Sequence, residues 1–180
     1  MKILTRVLAL CILAGALAGV ASAQSDPEPS KAGTVVVSHD RFEEKANVYL
    51  RSMIVSEGNG VQLLLNVHGE YSGSPNAPAQ VNLVFMAITL TEYRYSGSCV
   101  LNAIADGEHL RFELAVLKSG EIYGALKVQA IGRRIDYSDF RKIARAKKVE
   151  MRFDQIEFAL TEVQLATCRD FLKRFWDDKD

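Results

Sequence analysis

Two of the three cysteines in the chain, Cys99 and Cys168, lie in segments with regular apolar spacing. An even pair of cysteines in an oxidising compartment is typical of a disulfide. A bond between them would close a loop of roughly seventy residues, and the chain-entropy model gives it about 4 kcal/mol of stabilisation. Two buried free thiols are one alternative. A redox or metal pair is another, although the sequence has no C-x-x-C and no nearby histidine.

The three histidines, His39, His68 and His109, are far apart, and none has a ligand spacing such as H-x-x-x-H. No serine stands in the G-x-S-x-G pattern of a nucleophile elbow. Phosphate-binding, dinucleotide-binding and calcium-binding loop patterns are also missing from the sequence. We therefore predict no catalytic residues, no metal site and no cofactor.

Carboxylates offer a second route to chemistry, because a glycosidase acts through two of them placed across a cleft. The candidates are Glu70, Glu92, Asp106 and Glu113, and the sequence alone does not pair them. An envelope hydrolase that acts on a glycan or an ester is therefore an alternative function.

A basic stretch runs from 132 to 152 and holds eight lysines or arginines against three acidic residues. The outward positions of the helix predicted there are Arg141, Lys142, Arg145 and Lys148. They predict a site for an anionic partner, such as lipid phosphates, an acidic polysaccharide or an acidic protein. The alternative is a solvated helix face whose positive end suits the helix dipole.

Three tyrosines beside Gly/Ser loops, Tyr71, Tyr93 and Tyr95, suggest an aromatic surface that stacks on a sugar ring. Tyr93 and Tyr95 share one face if their segment is extended. Tyrosines at strand ends are also common packing residues with a solvated hydroxyl, which is the alternative.

The start of the chain has the pattern of an export signal. Lys2 and Arg6 precede an uncharged apolar run, and Ala21-Ser22-Ala23 is a small-residue cleavage site. An uncleaved anchor is the alternative, but the run is short for a membrane span. A lipoprotein acylated at Cys11 is another, but the apolar run continues past this residue.

These patterns predict three segments. Residues 1–23 are a signal peptide, 24–33 a flexible linker with two prolines, and 34–177 a single β-rich domain. The chain holds 22 basic and 22 acidic residues, and cleavage removes two basic ones. Nucleic-acid binders carry a basic excess, so nucleic acid is not expected as a partner. No later segment is apolar enough for a transmembrane anchor after signal cleavage.

Runs rich in β-branched residues, separated by turn signals, dominate the rest of the chain. Asp106-Gly107 predicts a type I′ hairpin with Cys99 opposite Leu114. Its far face carries Asn102, His109, Arg111 and Glu113. A second hairpin that turns at Asp154-Gln155 places Arg152 opposite Glu157, a favourable cross-strand pair.

Two further runs and two helices complete the prediction. The run QVNLVFMAITL is apolar on both faces, which fits a central strand or the unpaired edge of a structural subunit. The run GEIYGALKVQAIG is predicted as one strand. The first helix has Ser138 as its N-cap. The second begins with a capping box, Thr161 and Gln164, and buries Leu165, Cys168, Leu172 and Phe175.

The segments PAQVNLVFMAIT, YRYSGSCVLNAIADGEHL and FRKIARAKKVEMRFDQIEFALTEVQLATCRDFL resemble a group of uncharacterised exported bacterial proteins. The resemblance covers about residues 61 to 176 and implies a small β-rich domain of unknown function with a terminal helix. Its motifs are turn, core and cap positions, so it supplies no catalytic residues. The chain departs from the group at Asp154-Gln155, where a glycine-containing turn is more usual.

We therefore expect an α+β fold of mostly antiparallel β-structure, sandwich-like or a curved sheet, with two short helices and the C-terminal one packed on the sheet. The expected function is an exported, non-catalytic binding or interaction protein of the bacterial envelope, periplasmic or extracellular, with an unknown envelope component or protein as its partner. An envelope hydrolase and a structural subunit that pairs through a sheet edge are the alternatives.

Overall fold

The computed structural model describes residues 33–58, 60–90, 92–122 and 126–175. The predicted signal peptide, 1–23, lies outside the described residues, as does the predicted linker except Gly33. Within the described part, nine strands and two helices follow one another. They are β1 (Thr34–Asp40), β2 (Lys45–Gly58), β3 (Val61–Ser72), β4 (Gln80–Thr89), β5 (Ser98–Ala105), β6 (Glu108–Ile122), β7 (Leu126–Asp136), α1 (Tyr137–Arg145), β8 (Val149–Phe153), β9 (Ile156–Ala159) and α2 (Glu162–Leu172).

The described strands form one antiparallel sheet in the order β1-β2-β3-β4-β7-β6-β5-β8-β9. Phe85 of β4 lies 4.8 Å from Phe153 of β8 and 6.5 Å from Phe158 of β9 between ring centroids. The sheet therefore curls until distant strands face each other, and the apolar core fills its concave side. The predicted antiparallel β-structure with two short helices is confirmed, in the form of a curved sheet.

The first predicted hairpin is confirmed in its register. Cys99 pairs with Leu114 and Leu101 with Phe112. Asp106 and Gly107 have φ angles of 48° and 90°, the left-handed values that a type I′ turn requires at both positions. Local turn chemistry and alternating burial are enough to set this register.

The second hairpin is confirmed as well, with Arg152 opposite Glu157 and Phe153 opposite Ile156. Asp154 takes a φ of 54°, which aspartate tolerates better than most residues. The pairing that joins the two hairpins is long-range: β5 lies against β8, with Asn102 opposite Arg152 and Ile104 opposite Glu150. No local sequence signal predicts this contact.

The sheet decides between the two alternatives for one predicted strand and corrects another. The run QVNLVFMAITL is β4, which pairs with β3 on one side and β7 on the other, so it is not an exposed edge. The run GEIYGALKVQAIG is not one strand, because β6 ends at Ile122 and β7 begins at Leu126. The edge strands of the described sheet are β1 and β9.

Helix α1 begins two residues earlier than predicted, with Asp136 rather than Ser138 as its N-cap. The Tyr137 N–H donates to the Ala79 carbonyl at 3.0 Å, and the Tyr137 ring contacts Phe175 at 5.6 Å. These two contacts place Tyr137 in the first turn, which moves Ser138 inside the helix.

Helix α2 has the predicted capping box. The Thr161 N–H donates to Gln164 Oε1 at 2.7 Å, and the Gln164 N–H donates to Thr161 Oγ1 at 3.3 Å. Gln164 also reaches the sheet, because its Nε2 donates to the Ile54 carbonyl at 2.6 Å. The β2–β3 register shifts between Ile54 and Ser56, and Gln164 binds at this irregularity. One buried side chain thus caps the helix and ties it to β2.

Gly132 is required where β7 crosses close to β4. A Cβ at this position would lie 2.3 Å from the Leu83 carbonyl oxygen and 2.9 Å from the Val84 Cα. Both are backbone atoms, so a side chain cannot be accommodated without moving one strand. Because β7 connects the two halves of the sheet, this close approach positions both of the surfaces described below.

Candidate functional site

An open groove of about 580 Å³ lies where β5, β6, β8 and β9 meet. Side chains alternate along each strand between the core and this outward surface. The groove side chains used below are Asn102, Ile104, His109, Glu150, Arg152 and Glu157.

Strand pairing arranges these groups in two rows across the sheet. One row runs from Arg111 through Asn102 and Arg152 to Glu157. The neighbouring row runs from His109 through Ile104 to Glu150 and Ala159. The β5–β8 pairing creates both rows, because it places the outward faces of two separate hairpins edge to edge.

The charges of the groove are compensated within it and at its rim. Arg152 Nη1 lies 3.9 Å from Glu157 Oε1, and Lys148 Nζ lies 2.8 Å from Glu150 Oε1. All four side chains are more than half exposed, so these pairs are weak and can exchange partners with a ligand. The groove thus offers hydrogen-bond donors and acceptors without a large net charge.

Asp106 fixes the turn of the first hairpin to the segment that leads into β8. Its carboxylate accepts the N–H groups of Lys147 and Lys148 at distances between 2.9 and 3.1 Å. These hydrogen bonds lower the pKa of Asp106 below its usual value. This carboxylate is therefore a structural acceptor, and none of Glu70, Glu92 and Glu113 lines the groove.

The residues predicted to bind an anionic partner, Arg141, Lys142, Arg145 and Lys148, are all exposed. Lys142 Nζ lies 2.6 Å from Glu108 Oε1 and 3.5 Å from Asp139 Oδ1, and these contacts raise its pKa. Lys148 also pairs with Glu150, so Lys142 and Lys148 both have local carboxylate partners. Anion binding here stays a prediction, with less free charge than the sequence suggests.

The predicted aromatic surface is contradicted by the positions of its tyrosines. Tyr95 is buried, because its backbone N–H and carbonyl are held by the buried Gln129 side chain at 2.9 and 2.6 Å. Tyr71 packs edge-on against Phe175, and Tyr93 alone is largely exposed. Residues 92–97 are not a strand, so Tyr93 and Tyr95 do not share a strand face.

The predicted disulfide is also contradicted, because Cys99 and Cys168 are free thiols. Cys99 lies in β5, between β6 and β8, whereas α2 carries Cys168 and packs on α1, β2 and β1. Burial raises the pKa of Cys99 to about 11 and that of Cys168 to about 12. Because the thiolate is the reactive form, both are packing residues rather than reagents. Within the described residues, no group of three or more metal-ligating side chains occurs.

Sequence reasoning missed the groove as a unit, although it placed most of its residues on outward faces. The sequence predicts Asn102 and His109 on the outward face of the first hairpin. It predicts Arg152 and Glu157 on the outward face of the second hairpin. The missing step was the β5–β8 contact. The signal available was the shared polarity of two outward hairpin faces, which does not specify that they adjoin.

Comparison with protein families, curated proteins and solved structures finds no match to this chain. Neither helix in the described ranges has the length and apolar character needed to cross a membrane.

Proposed function

We propose that this chain is an exported, non-catalytic binding protein of the bacterial envelope and that its ligand occupies the groove. The groove itself is the observation that supports the proposal. Its volume of about 580 Å³ falls in the range of roughly 300–1,000 Å³ found for small-molecule sites. Export is proposed from the pattern of residues 1–23 and from the resemblance to exported bacterial proteins.

The chemistry of the groove favours a polar ligand of low net charge. Asn102 supplies a donor and an acceptor, Arg152 supplies donors, and Glu150 and Glu157 supply acceptors. Ile104 contributes an apolar surface between them. A short glycan or a zwitterionic peptide fragment has the matching mixture of hydroxyl, amide and apolar groups.

A hydrolase is the second candidate, because Glu150 and Glu157 line the same groove from neighbouring strands. Diagonal positions on paired strands lie about 7–8 Å apart, a spacing compatible with a pair of acting carboxylates. Each of these carboxylates is exposed and has a cationic partner, however. A general acid needs an environment that favours its protonated form, so the binding function is preferred.

Photo-crosslinking from inside the groove tests the proposal. A photoreactive amino acid replaces His109 in the full chain expressed in a bacterium, and Leu117 serves as the matched control on the same strand, exposed but outside the groove. We expect an adduct of defined mass from position 109 and none from position 117. Equal adducts at both positions, or none at either, would overturn the binding function.

The hydrolase candidate is separated by activity on glycan and ester probes. We expect no turnover by the native protein. Turnover that disappears in Glu150→Gln and Glu157→Gln, while both variants keep the native unfolding midpoint, would establish the hydrolase instead.

A further inference from the structure

A second polar surface lies on the outer face of β2, β3, β4 and β7, away from the groove. Strand pairing aligns Tyr49 with His68, His68 with Asn82, and Asn82 with Arg134. We call these four residues the polar row. The Arg51 guanidinium lies 4.5 Å from the Tyr49 ring centroid, and the Tyr49 ring stacks on His68 at 4.6 Å.

His68 is held at the centre of the row by two amides. Its Nε2 donates to Asn47 Oδ1 at 2.9 Å, and its Nδ1 accepts from Asn82 Nδ2 at 3.2 Å. Both bonds require a neutral imidazole with its proton on Nε2. The ring therefore forms a fixed, uncharged platform.

The two arginines that flank this platform carry uncompensated charge. Across the described ranges, neither Arg51 nor Arg134 lies within salt-bridge distance of a carboxylate. Both side chains are exposed, and both are close enough to disfavour a proton on His68. Glu70 is the nearby acid, and its charge also acts on Lys45, whose Nζ lies 2.9 Å from Glu43.

We propose that the polar row is a second binding site, for a phosphate-bearing ligand that lies over His68 and Asn82 between the guanidinium groups of Arg51 and Arg134. Guanidinium groups bind phosphate oxygens through paired hydrogen bonds. A terminal phosphate presents three acceptor oxygens and can meet cations from two sides, whereas a carboxylate presents two oxygens in one plane. Both guanidinium groups are exposed on the sheet face, so charge supplies most of the affinity.

Titration with inorganic pyrophosphate, followed by nuclear magnetic resonance of the full mature chain, tests the site. We expect saturable shifts of the His68 ring and the Asn82 amide, with His109 in the groove unaffected. Arg51→Gln and Arg134→Gln should each weaken binding about tenfold, which corresponds to about 1.4 kcal/mol. Arg51→Lys keeps the charge and should retain part of the affinity.

The matched control is the double variant Arg141→Gln and Arg145→Gln on α1, where the sequence predicts anion binding. It should bind pyrophosphate as the native protein does. Non-saturating shifts at His68 would overturn the proposal, as would a loss of binding in the α1 variant with full binding in the Arg51 and Arg134 variants.

Vesicles distinguish two sources of the phosphate. Vesicles of phosphatidylglycerol that displace pyrophosphate from the polar row would identify a lipid headgroup. Pyrophosphate binding that such vesicles do not disturb would identify a soluble phosphate compound. Vesicles of phosphatidylcholine serve as the uncharged reference for either result.

Discussion

The groove and the polar row are two polar surfaces of one sheet, and they differ in whether their charged side chains have partners of opposite charge. In the groove, Arg152 faces Glu157 and Glu150 faces Lys148. In the polar row, the neutral groups bind one another, and among the residues that the structure describes the two flanking arginines have no carboxylate partner. A concave, compensated surface selects a ligand by shape and hydrogen bonds, whereas a flat, uncompensated one selects by charge.

The two surfaces also differ in how they are built. Two hairpins form the groove, and each sets its own register through a local turn. The polar row draws on four strands between residues 45 and 136, and its alignment depends on the β4–β7 pairing. A mutation that weakens long-range packing should therefore destabilise the strands of the polar row more than it destabilises the two hairpins.

The largest effect is expected at Gly132, which both surfaces need. Gly132→Ala forces a Cβ against the Leu83 carbonyl and should lower the free energy of unfolding by about 3 kcal/mol. Equilibrium urea denaturation measures the loss. Gly120→Ala is the control, since a Cβ there meets nothing within 4 Å. Equal stability of the two variants would show that the close approach of β7 to β4 does not require a glycine at position 132.

The next largest effect should distinguish β2, which carries part of the polar row, from the two hairpins that form the groove. Gln164→Ala removes the buried amide that joins α2 to Ile54 and should cost about 1–3 kcal/mol. Hydrogen exchange should quicken in β2 while the two hairpins keep their protection. Thr167→Ala, which removes only a bond to the Val163 carbonyl within the helix, should change little. Faster exchange throughout both hairpins would contradict the proposed independence.

A smaller effect belongs to the polar row alone. Burial lowers the pKa of His68 below 6.5, and Arg134 and Arg51 lower it further against the opposing effect of Glu70. The unfolded chain therefore binds the proton on His68 more readily than the folded protein does. The contribution of His68 to the free energy of unfolding is constant above pH 6.5, and it falls as the pH drops from 6.5 to the lower pKa of the folded state.

The measurement is the difference in unfolding free energy between the native protein and His68→Gln as a function of pH. Taking the difference removes the contributions of all the other ionisable groups, because both proteins share them. A difference that does not change below pH 6.5 would mean that His68 is not held neutral by the row.

The smallest effect is expected in the groove. A double-mutant cycle of Arg152→Gln and Glu157→Gln should give a coupling energy of about 0.2–0.5 kcal/mol, because the pair is exposed and 3.9 Å apart. Denaturation of the four proteins measures it. A coupling above about 1 kcal/mol would mean that the pair is rigid and less available to a ligand than we propose.

The features of this protein that depend on neighbours along the chain can be predicted from its sequence. The positive φ angles at Asp106-Gly107, the Arg152–Glu157 pair and the α2 capping box follow from residues within a few positions of one another. Turn and cap energies act over that range, so the pattern alone predicts them.

Which strands, helices and side chains are neighbours in space follows from the tertiary structure. The apolar residues on both faces of β4 fit either an edge strand or a central strand. The pairing of β4 with β3 and β7 shows that it is a central strand. The inward-facing Cys99 and Cys168 fit a disulfide in the sequence, but both are free in the structure, where α2 packs on α1, β2 and β1 and β5 lies between β6 and β8. Tyr95 is buried, and its backbone N–H donates to the side chain of Gln129, which is 34 residues away in the sequence. The groove and the polar row exist for the same reason: alternation along a strand fixes which face a side chain takes, whereas long-range strand pairing fixes its neighbours.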